Sequence, residues 1–515
     1  MITRVALALS LMIGAPCAAA AVGTTAAARV PDAFLTFEKG DLVAVDWVER
    51  TGSRLHTRSI LTQSMVIDAT IELRGDGTAI RDSVVVTVPG REPGRTTVRE
   101  MGEGAVYWSD MIPSSVEQAV LRARILGGDS VRVRAANLYH DTRGDVEVVR
   151  VDATDWIVRY NHKRYEVLTD ESGSMLSATL PEFGVTIERR SNFRPEEYPL
   201  WPPYAAAPDG AYRAREVRIH APQGHVLAGT LTTPLGRGPF PASVLITGLS
   251  PSNRNNGDPP WMPLRDMADA LSRRGIAVLR VDDRGVEEST GDRASSTTFD
   301  EANDVETEVL YLRSLPEIDG TRIALAGYSE GGLVAPMVAA RDSALAAIVT
   351  MAGPGVPGLE VGRYQVEAAV AADSTIPVAR REAEIQKQLT EGLTRREQTY
   401  LTMDPLVYAR AVRCPALIVQ GGADLHVPLR SAERLAAAMR AGGNADVTVR
   451  IFPGVSHSLL PDPVGLNSGW PTLPGFRTSP EVLRTVAEWT AAKLSAGPRA
   501  STRRKRERSP KWRTK

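Results

Sequence analysis

The run IALAGYSEGG (323–332) places Ser329 between Gly327 and Gly331, after an apolar stretch and before a helix-compatible one. This spacing predicts a strand, a tight turn and a helix, with the serine hydroxyl lifted above the sheet edge. A helix N-terminus there favours developing negative charge. A serine hydroxyl is a weak nucleophile at neutral pH and needs a base. The chain has seven histidines. His56, His140 and His162 lie in an N-terminal segment of different pattern, and His220 and His225 precede every central strand of the later segment. His426 and His457 follow the serine. His457 sits in the loop FPGVSHSLL (452–460), between a strand and the last helix, and is assigned as the base. His426 stays as its rival, with a place at the rim of the site as its other reading. Asp424, in ALIVQGGADLHVP (416–428), follows an apolar strand and would orient the imidazole. The chain order Ser329, Asp424, His457 is that of α/β-hydrolases, not of chymotrypsin or subtilisin.

Acyl transfer passes through an oxyanion that needs hydrogen-bond donors. One expected donor is the backbone N–H of Glu330, the residue after the nucleophile. The other is the N–H of Leu249, in the loop GLSPSN (248–253), where Gly248 permits close backbone approach. Asp282, Asp283 and Arg284, in RVDDRGVEESTGD (280–292), read as shaping the edge of the site. Two adjacent carboxylates do not by themselves make a metal site, and this chemistry requires neither metal nor cofactor. Cys414 reads as a small buried hydrophobe.

A nucleophile elbow needs a sheet beneath it. From residue 211 apolar runs alternate with amphipathic ones. Strands are expected at 217–220, 226–231, 243–247, 277–281, 323–326, 346–351, 416–420 and 447–452. Helices are expected at 262–273, 300–315, 331–341, 431–441 and 479–494. Nearly continuous apolar strands suit a sheet covered by helices on both faces. The catalytic domain is therefore placed at 211–494. Its stretch 355–410 is too long for a simple connection. It carries helix-compatible sequence such as ARREAEIQKQL (379–389), which reads as a helical cap over the site or as a peripheral insertion.

Residues 30–195 follow another grammar. MVIDATIEL (65–73), DSVVVTVPG (82–90) and DSVRVRAANLY (129–139) alternate with period two, and one helix is expected at 114–126. This predicts a β-rich, mostly antiparallel accessory domain without catalytic residues. The Pro- and Ala-rich stretch RPEEYPLWPPYAAAPDG (194–210) supplies a linker at 196–210, with Trp201 and Tyr204 able to pack on the catalytic domain.

Residues 1–20 combine Arg4, a short apolar core at 5–14 and small residues, which reads as a signal peptide rather than a membrane span. A secreted or periplasmic protein without an integral membrane segment is expected. Pro16 before Cys17 does not fit a lipoprotein signal, and cleavage would leave Cys414 as the lone cysteine. The tail from residue 495, with RRKRER at 503–508, reads as a disordered, solvated basic segment or as one that touches an anionic envelope surface. The 61 basic and 61 acidic residues balance, so bulk charge points to no nucleic-acid partner.

Residues 225–490 resemble a bacterial family of α/β-hydrolase esterases within the serine-aminopeptidase-like group. The resemblance rests on Leu245 to Arg254, VLRVDDRGVEESTGD (278–292), GYSEGGLVAP (327–336), MAGPGVPG (351–358), GGADLHVP (421–428) and FPGVSHSLL (452–460). It implies short-chain carboxylic ester hydrolysis, with the triad on Ser329, Asp424 and His457. Two departures affect the acyl preference and the second oxyanion donor. Tyr328 stands where similar proteins often carry His. Gly248-Leu249-Ser250-Pro251-Ser252-Asn253-Arg254 stands where they often read G-S-G-P-Q-D-R. A small-molecule ester is the expected partner. A serine amidase or aminopeptidase uses the same machinery, and a non-catalytic exported binding protein is the reading from another class.

Overall fold

A computed structural model describes residues 31–109, 112–137, 143–161, 163–466, 473 and 475–495. The expected signal peptide, the basic tail, His140 and His162 lie outside the described residues.

Two sheets organise the chain. The first uses β1 (Asp32–Glu38), β2 (Asp41–Thr51), β3 (Arg54–Leu61), β4 (Met65–Leu73), β5 (Ala79–Thr87), β6 (Thr97–Glu100) and β7 (Val106–Trp108). It continues with β8 (Ser130–Asn137), β9 (Arg143–Arg150), β10 (Asp155–Tyr160), β11 (Lys163–Thr169), β12 (Met175–Leu180) and β13 (Val185–Arg190). Their spatial order is β6-β5-β4-β3-β2-β1-β13-β12-β11-β10-β9-β8-β7. Neighbours are antiparallel except β7 and β8. Leu55, Ile67, Ile71 and Val84 share a core with Tyr107 and Ala136 from the opposite end of the strand order, so the sheet curls around a common interior. Helix α1 (Pro113–Leu126) buries Val116, Ala119, Val120 and Ala123 against the same sheet. Its Glu117 is satisfied by the Met175 N–H and by Arg189, both at 2.8 Å.

The second sheet runs β14 (Tyr212–His220), β15 (Val226–Pro234), β17 (Ala277–Val281), β16 (Phe240–Ile246), β18 (Ile318–Tyr328), β19 (Ala347–Met351), β20 (Ala416–Gly421) and β21 (Val447–Phe452). β15 is antiparallel to both β14 and β17, and the six strands from β17 to β21 are parallel. The strands β17, β19 and β20 are buried along their whole length. Helices α2 (Pro263–Ser272), α3 (Thr298–Ser314), α4 (Gly331–Arg341), α9 (Arg430–Ala441) and α10 (Pro480–Ser495) cover the two faces. The stretch 355–410 is helical, with α5 (Gly358–Ala372), α6 (Arg381–Thr390), α7 (Arg395–Leu401) and α8 (Pro405–Ala409). The expected strand 323–326 runs longer, from Ile318 to Tyr328, because its N-terminal half is too polar to register as an apolar run.

The two sheets meet along a tight seam. The linker is pinned: Arg265 stacks over Trp201 at 3.8 Å, Arg254 stacks over Tyr204 at 4.3 Å, and the Trp201 N–H donates to the Gln63 carbonyl at 2.6 Å. Leu460 and Leu473, beyond His457 in the chain, enter the core of the first sheet beside Trp108 and Tyr165. Truncating a fully buried leucine loses transfer energy and leaves a cavity. Leu460→Ala should therefore lower the stability of the whole chain by about 2–5 kcal/mol, read by urea unfolding. Glu38 lies at this seam, 3 % exposed, next to Gly475, and burial pushes its carboxyl from 4.5 up to about 7. The folded state thus holds a proton that the unfolded chain releases. The stability this gives is complete below about pH 4.5 and is lost as pH rises through about 7. Relative to wild type, Glu38→Gln should gain stability between those values, by at most about 3 kcal/mol, and the gain should level off above them in a pH series of urea melts.

Candidate active site

The turn between β18 and α4 holds Ser329 at a φ of 54°, a left-handed backbone unusual for a non-glycine residue. The sequence GYSEG is what allows it. A Cβ on Gly327 would stand 1.9 Å from the Gly331 carbonyl oxygen, and one on Gly331 would stand 2.6 Å from that of Thr247. The turn is closed by Ser329 N–H donating to the Met351 carbonyl and Gly332 N–H donating to the Ser329 carbonyl, both at 2.9 Å.

His457 Nε2 lies 3.0 Å from Ser329 Oγ, and its Nδ1 lies 3.0 Å from Asp424 Oδ2. Asp424, at 4 % exposure, accepts four hydrogen bonds. His426 N–H and Val427 N–H reach Oδ1 at 2.8 Å each, and Gln420 Nε2 reaches Oδ2 at 2.7 Å beside the imidazole. With Nδ1–H donated to the carboxylate, Nε2 is left to accept the serine proton. The three residues singled out in the sequence thus form one continuous hydrogen-bonded chain across the ends of β18, β20 and β21.

His426 is not within this chain. Its ring stacks on that of His457, with centroids 4.7 Å apart and planes inclined by 6°. Burial, with the neighbouring His457 second, pushes its pKa down to about 4, so it presents a neutral face to the base at ordinary pH. Tyr328 packs on another side of His457, at 5.3 Å between rings. Trp261 Nε1 donates to the Ser458 carbonyl at 3.0 Å, and Trp261 itself packs against the first sheet's core. The loop carrying His457 is therefore held partly from outside its own sheet.

The loop after β16 comes close to Ser329: a Cβ on Gly248 would lie 3.4 Å from that of Ser329. Leu249 is fixed on both sides. Gly248 N–H donates to Asn256 Oδ1 at 2.9 Å, and Arg293 donates to the Leu249 carbonyl at 2.8 Å. The acidic run holds this loop in place. Asp282 accepts the Arg254 side chain and backbone N–H, and Asp283 accepts Ser252 N–H at 3.1 Å and Thr247 Oγ1 at 2.5 Å. Arg284 pairs instead with Asp304 at 2.7 Å. Cys414 lies among hydrophobic neighbours, and burial pushes its thiol up to about 12. Among the described residues, no group of three or more His, Cys, Asp or Glu is placed to hold a metal ion, and no helix is long and apolar enough to cross a membrane.

Sequence reasoning missed several residues. Gln420 ends an apolar strand and gave only its polarity as a signal. Tyr364, from α5, donates to the Asp424 carbonyl at 3.1 Å. Arg396, from α7, reaches the side chain of Glu330. Both lie in a charged, helix-compatible stretch whose pattern does not say which face turns inward.

Residues 265–468 match the model of the prolyl oligopeptidase family. The chain is 25 % identical over 244 residues to Esterase EstD of Thermotoga maritima, a match that covers 45 % of this chain and 58 % of that protein. The chain thus spans little more than half the length of that relative. Among solved structures, an esterase of Pyrococcus furiosus, Pf2001, aligns at 17 % identity with a TM-score of 0.41, over 55 % of this chain and 92 % of that one. The α/β hydrolase GrgF of Penicillium sp. sh18 aligns at 19 % identity with a TM-score of 0.40, over 55 % and 99 %. With its mixed eight-stranded sheet and its GYSEG elbow, the C-terminal half of this chain has the α/β-hydrolase fold and is similar in sequence to the prolyl oligopeptidase family and to an esterase, behind a large β-rich N-terminal sheet.

Proposed function

We propose that this protein hydrolyses carboxylic esters, short-chain ones above all, through an acyl-enzyme on Ser329. The carrying observation is the pair of 3.0 Å contacts that joins Ser329 Oγ, His457 and Asp424 in one line. In this reading Ser329 Oγ attacks the ester carbonyl as its proton passes to His457 Nε2. Asp424, held by Gln420 and two backbone N–H groups, keeps the imidazole in the required tautomer and stabilises the imidazolium. The N–H groups of Glu330 and Leu249 receive the oxyanion. His457 then gives its proton to the departing alkoxide, and water, activated by the same imidazole, releases the acid and restores Ser329. The N-terminal leader would export the enzyme to the periplasm or beyond. The helices α5 to α8 serve as a cap that limits the acyl or alcohol group, a role supported by Tyr364 reaching the Asp424 carbonyl.

The second reading is a serine amidase or peptidase, favoured by the match to the prolyl oligopeptidase family. The two differ in the leaving group, since an amine must be protonated as it departs. A panel of short aryl esters, long esters and aminoacyl amides, on wild type and Ser329→Ala, separates them. Ester turnover should exceed amide turnover, and the reverse, if dependent on Ser329, would make the protein an amidase. Ser329→Ala and His457→Ala should each lower kcat by at least about 10³-fold with the fold kept, as judged by circular dichroism. Asp424→Asn should lose about 10⁴-fold through the wrong tautomer. A folded wild-type protein with no Ser329-dependent turnover on any substrate would leave the binding-protein reading.

A further inference from the structure

The residue after the nucleophile has two jobs in this chain. The backbone N–H of Glu330 is the proposed oxyanion donor. Its side chain turns into the protein and is 1 % exposed. There it accepts Thr298 Oγ1 at 2.5 Å and a forked pair from Arg396, with Nε at 2.9 Å and Nη2 at 2.6 Å from Oε2 and Nε also 3.2 Å from Oε1. The remaining arm of the guanidinium, Nη1, donates to Glu301 Oε2 at 3.0 Å. Arg396 belongs to α7 in the 355–410 insertion and is 3 % exposed, while Glu301 and Thr298 belong to α3. One buried cation therefore joins the nucleophile elbow, the insertion and a helix of the main domain.

Acyl transfer does not call for a carboxylate at this position, since only the N–H of residue 330 faces the reaction. Nor does stability call for it: a buried ion pair pays heavy desolvation, and an apolar replacement of like volume is often no worse. What a forked guanidinium–carboxylate pair gives is direction. Here the two guanidinium donors converge on Oε2 while Thr298 holds Oε1, so both carboxylate oxygens are fixed and, through the side chain, the backbone that carries them. That backbone is one peptide from Ser329, where a shift of a few tenths of an ångström moves the donor off the oxyanion. Within the insertion, α7, which carries Arg396, is held tightly against the start of α5. Gly358 N–H donates to the Met403 carbonyl at 2.9 Å, and a Cβ on Gly358 would stand 1.9 Å from the Tyr400 carbonyl oxygen.

We propose that Arg396 is a positioning residue of the hydrolase site: by clamping the Glu330 side chain it holds the oxyanion-donating N–H in place, so that the insertion is a working part of the oxyanion hole. This rests on the serine-hydrolase reading given above. Arg396 should then act on turnover and on binding of the tetrahedral state, and little on binding of the ground-state ester.

The test compares wild type, Arg396→Gln and Arg396→Lys. Active sites are counted by titration of Ser329 with a fluorophosphonate, so that misfolded protein drops out of the rate. For a short aryl ester, kcat per titrated site should fall about 10–100-fold in Arg396→Gln, with KM changed less than about threefold. Affinity for a trifluoromethyl ketone, which forms an oxyanion on Ser329, should fall by a like factor. Arg396→Lys keeps the charge but loses the second donor, and its kcat should fall by more than about threefold, though less than in Arg396→Gln. It also carries the test alone if the glutamine variant does not fold. A kcat per titrated site within threefold of wild type in the lysine variant, or a lowered kcat with unchanged ketone affinity, would overturn the proposal and leave the hydrolase reading intact. A folded wild-type protein that neither reacts with the fluorophosphonate nor turns over any ester overturns both.

Discussion

Ser329 sits at a positive φ, between a strand and a helix, in a turn that leaves no room for side chains at Gly327 or Gly331. That backbone is strained for a serine, and it persists only because its surroundings over-determine it. The determinants can be named. The Ser329 N–H is bonded to β19, Gly331 presses against the end of β16, and Glu330 is held from α3 and α7. The parallel sheet is needed for this arrangement, since it brings the C-terminal ends of β16, β18, β19 and β20 to one edge. His457 and Asp424 follow from the same edge, at the ends of β21 and β20.

Around this turn buried charge joins apolar packing in holding the loops. Arg254 fixes the end of the 248–253 loop to Asp282, and the Asp283 carboxylate gathers Thr247, Ser252 and Arg293. Arg396 gathers Glu330 and Glu301. Irregular backbone cannot satisfy itself as a helix or ladder does, so a buried loop needs side chains to complete its hydrogen bonds. Long arginines suit this, because one fork spans two or three segments and fixes their mutual angle. Burial, with the nearby Glu301 next in effect, pushes the Asp283 carboxyl up, while Arg396 and Arg293 pull it down.

How much of this the sequence carried depended on the range over which each feature is encoded. The elbow is local: GYSEG after an apolar strand names its own geometry, and the structure puts Ser329 in that turn. The order of strands and helices in the second half was also legible, since apolar runs of five or six residues report burial on both faces. Chain order and strand ends pointed to Asp424 and His457, and the two lie 3.0 Å apart. Features held by distant side chains were not legible. RREQTYL at 395–401 reads as a polar helix, yet Arg396 and Tyr400 on it are buried. The stacking of His426 on His457 was hidden in the same way, because a two-residue offset from Asp424 fixes a loop position but not a ring plane.

The first sheet is the clearest case of that limit. Its alternating strands foretold a separate β-rich unit, and its strands do pair only among themselves. Separate pairing is not separate packing, however. Leu460 and Leu473 come from the second half and complete the first sheet's core, while Trp261 bridges that core to the Ser458 carbonyl beside His457. Side chains of this kind look like ordinary loop hydrophobes in sequence, because nothing local distinguishes the core they enter. Their effect is to make the position of His457 depend on both halves. An imidazole must stay within hydrogen-bond reach of two partners at once, and a loop fixed at only one end would lose that alignment first. Anchoring the far side of the His457 loop in a second hydrophobic core removes that freedom, which gives the β-rich half a physical part in the site although it contributes no group to the Ser329–His457–Asp424 line.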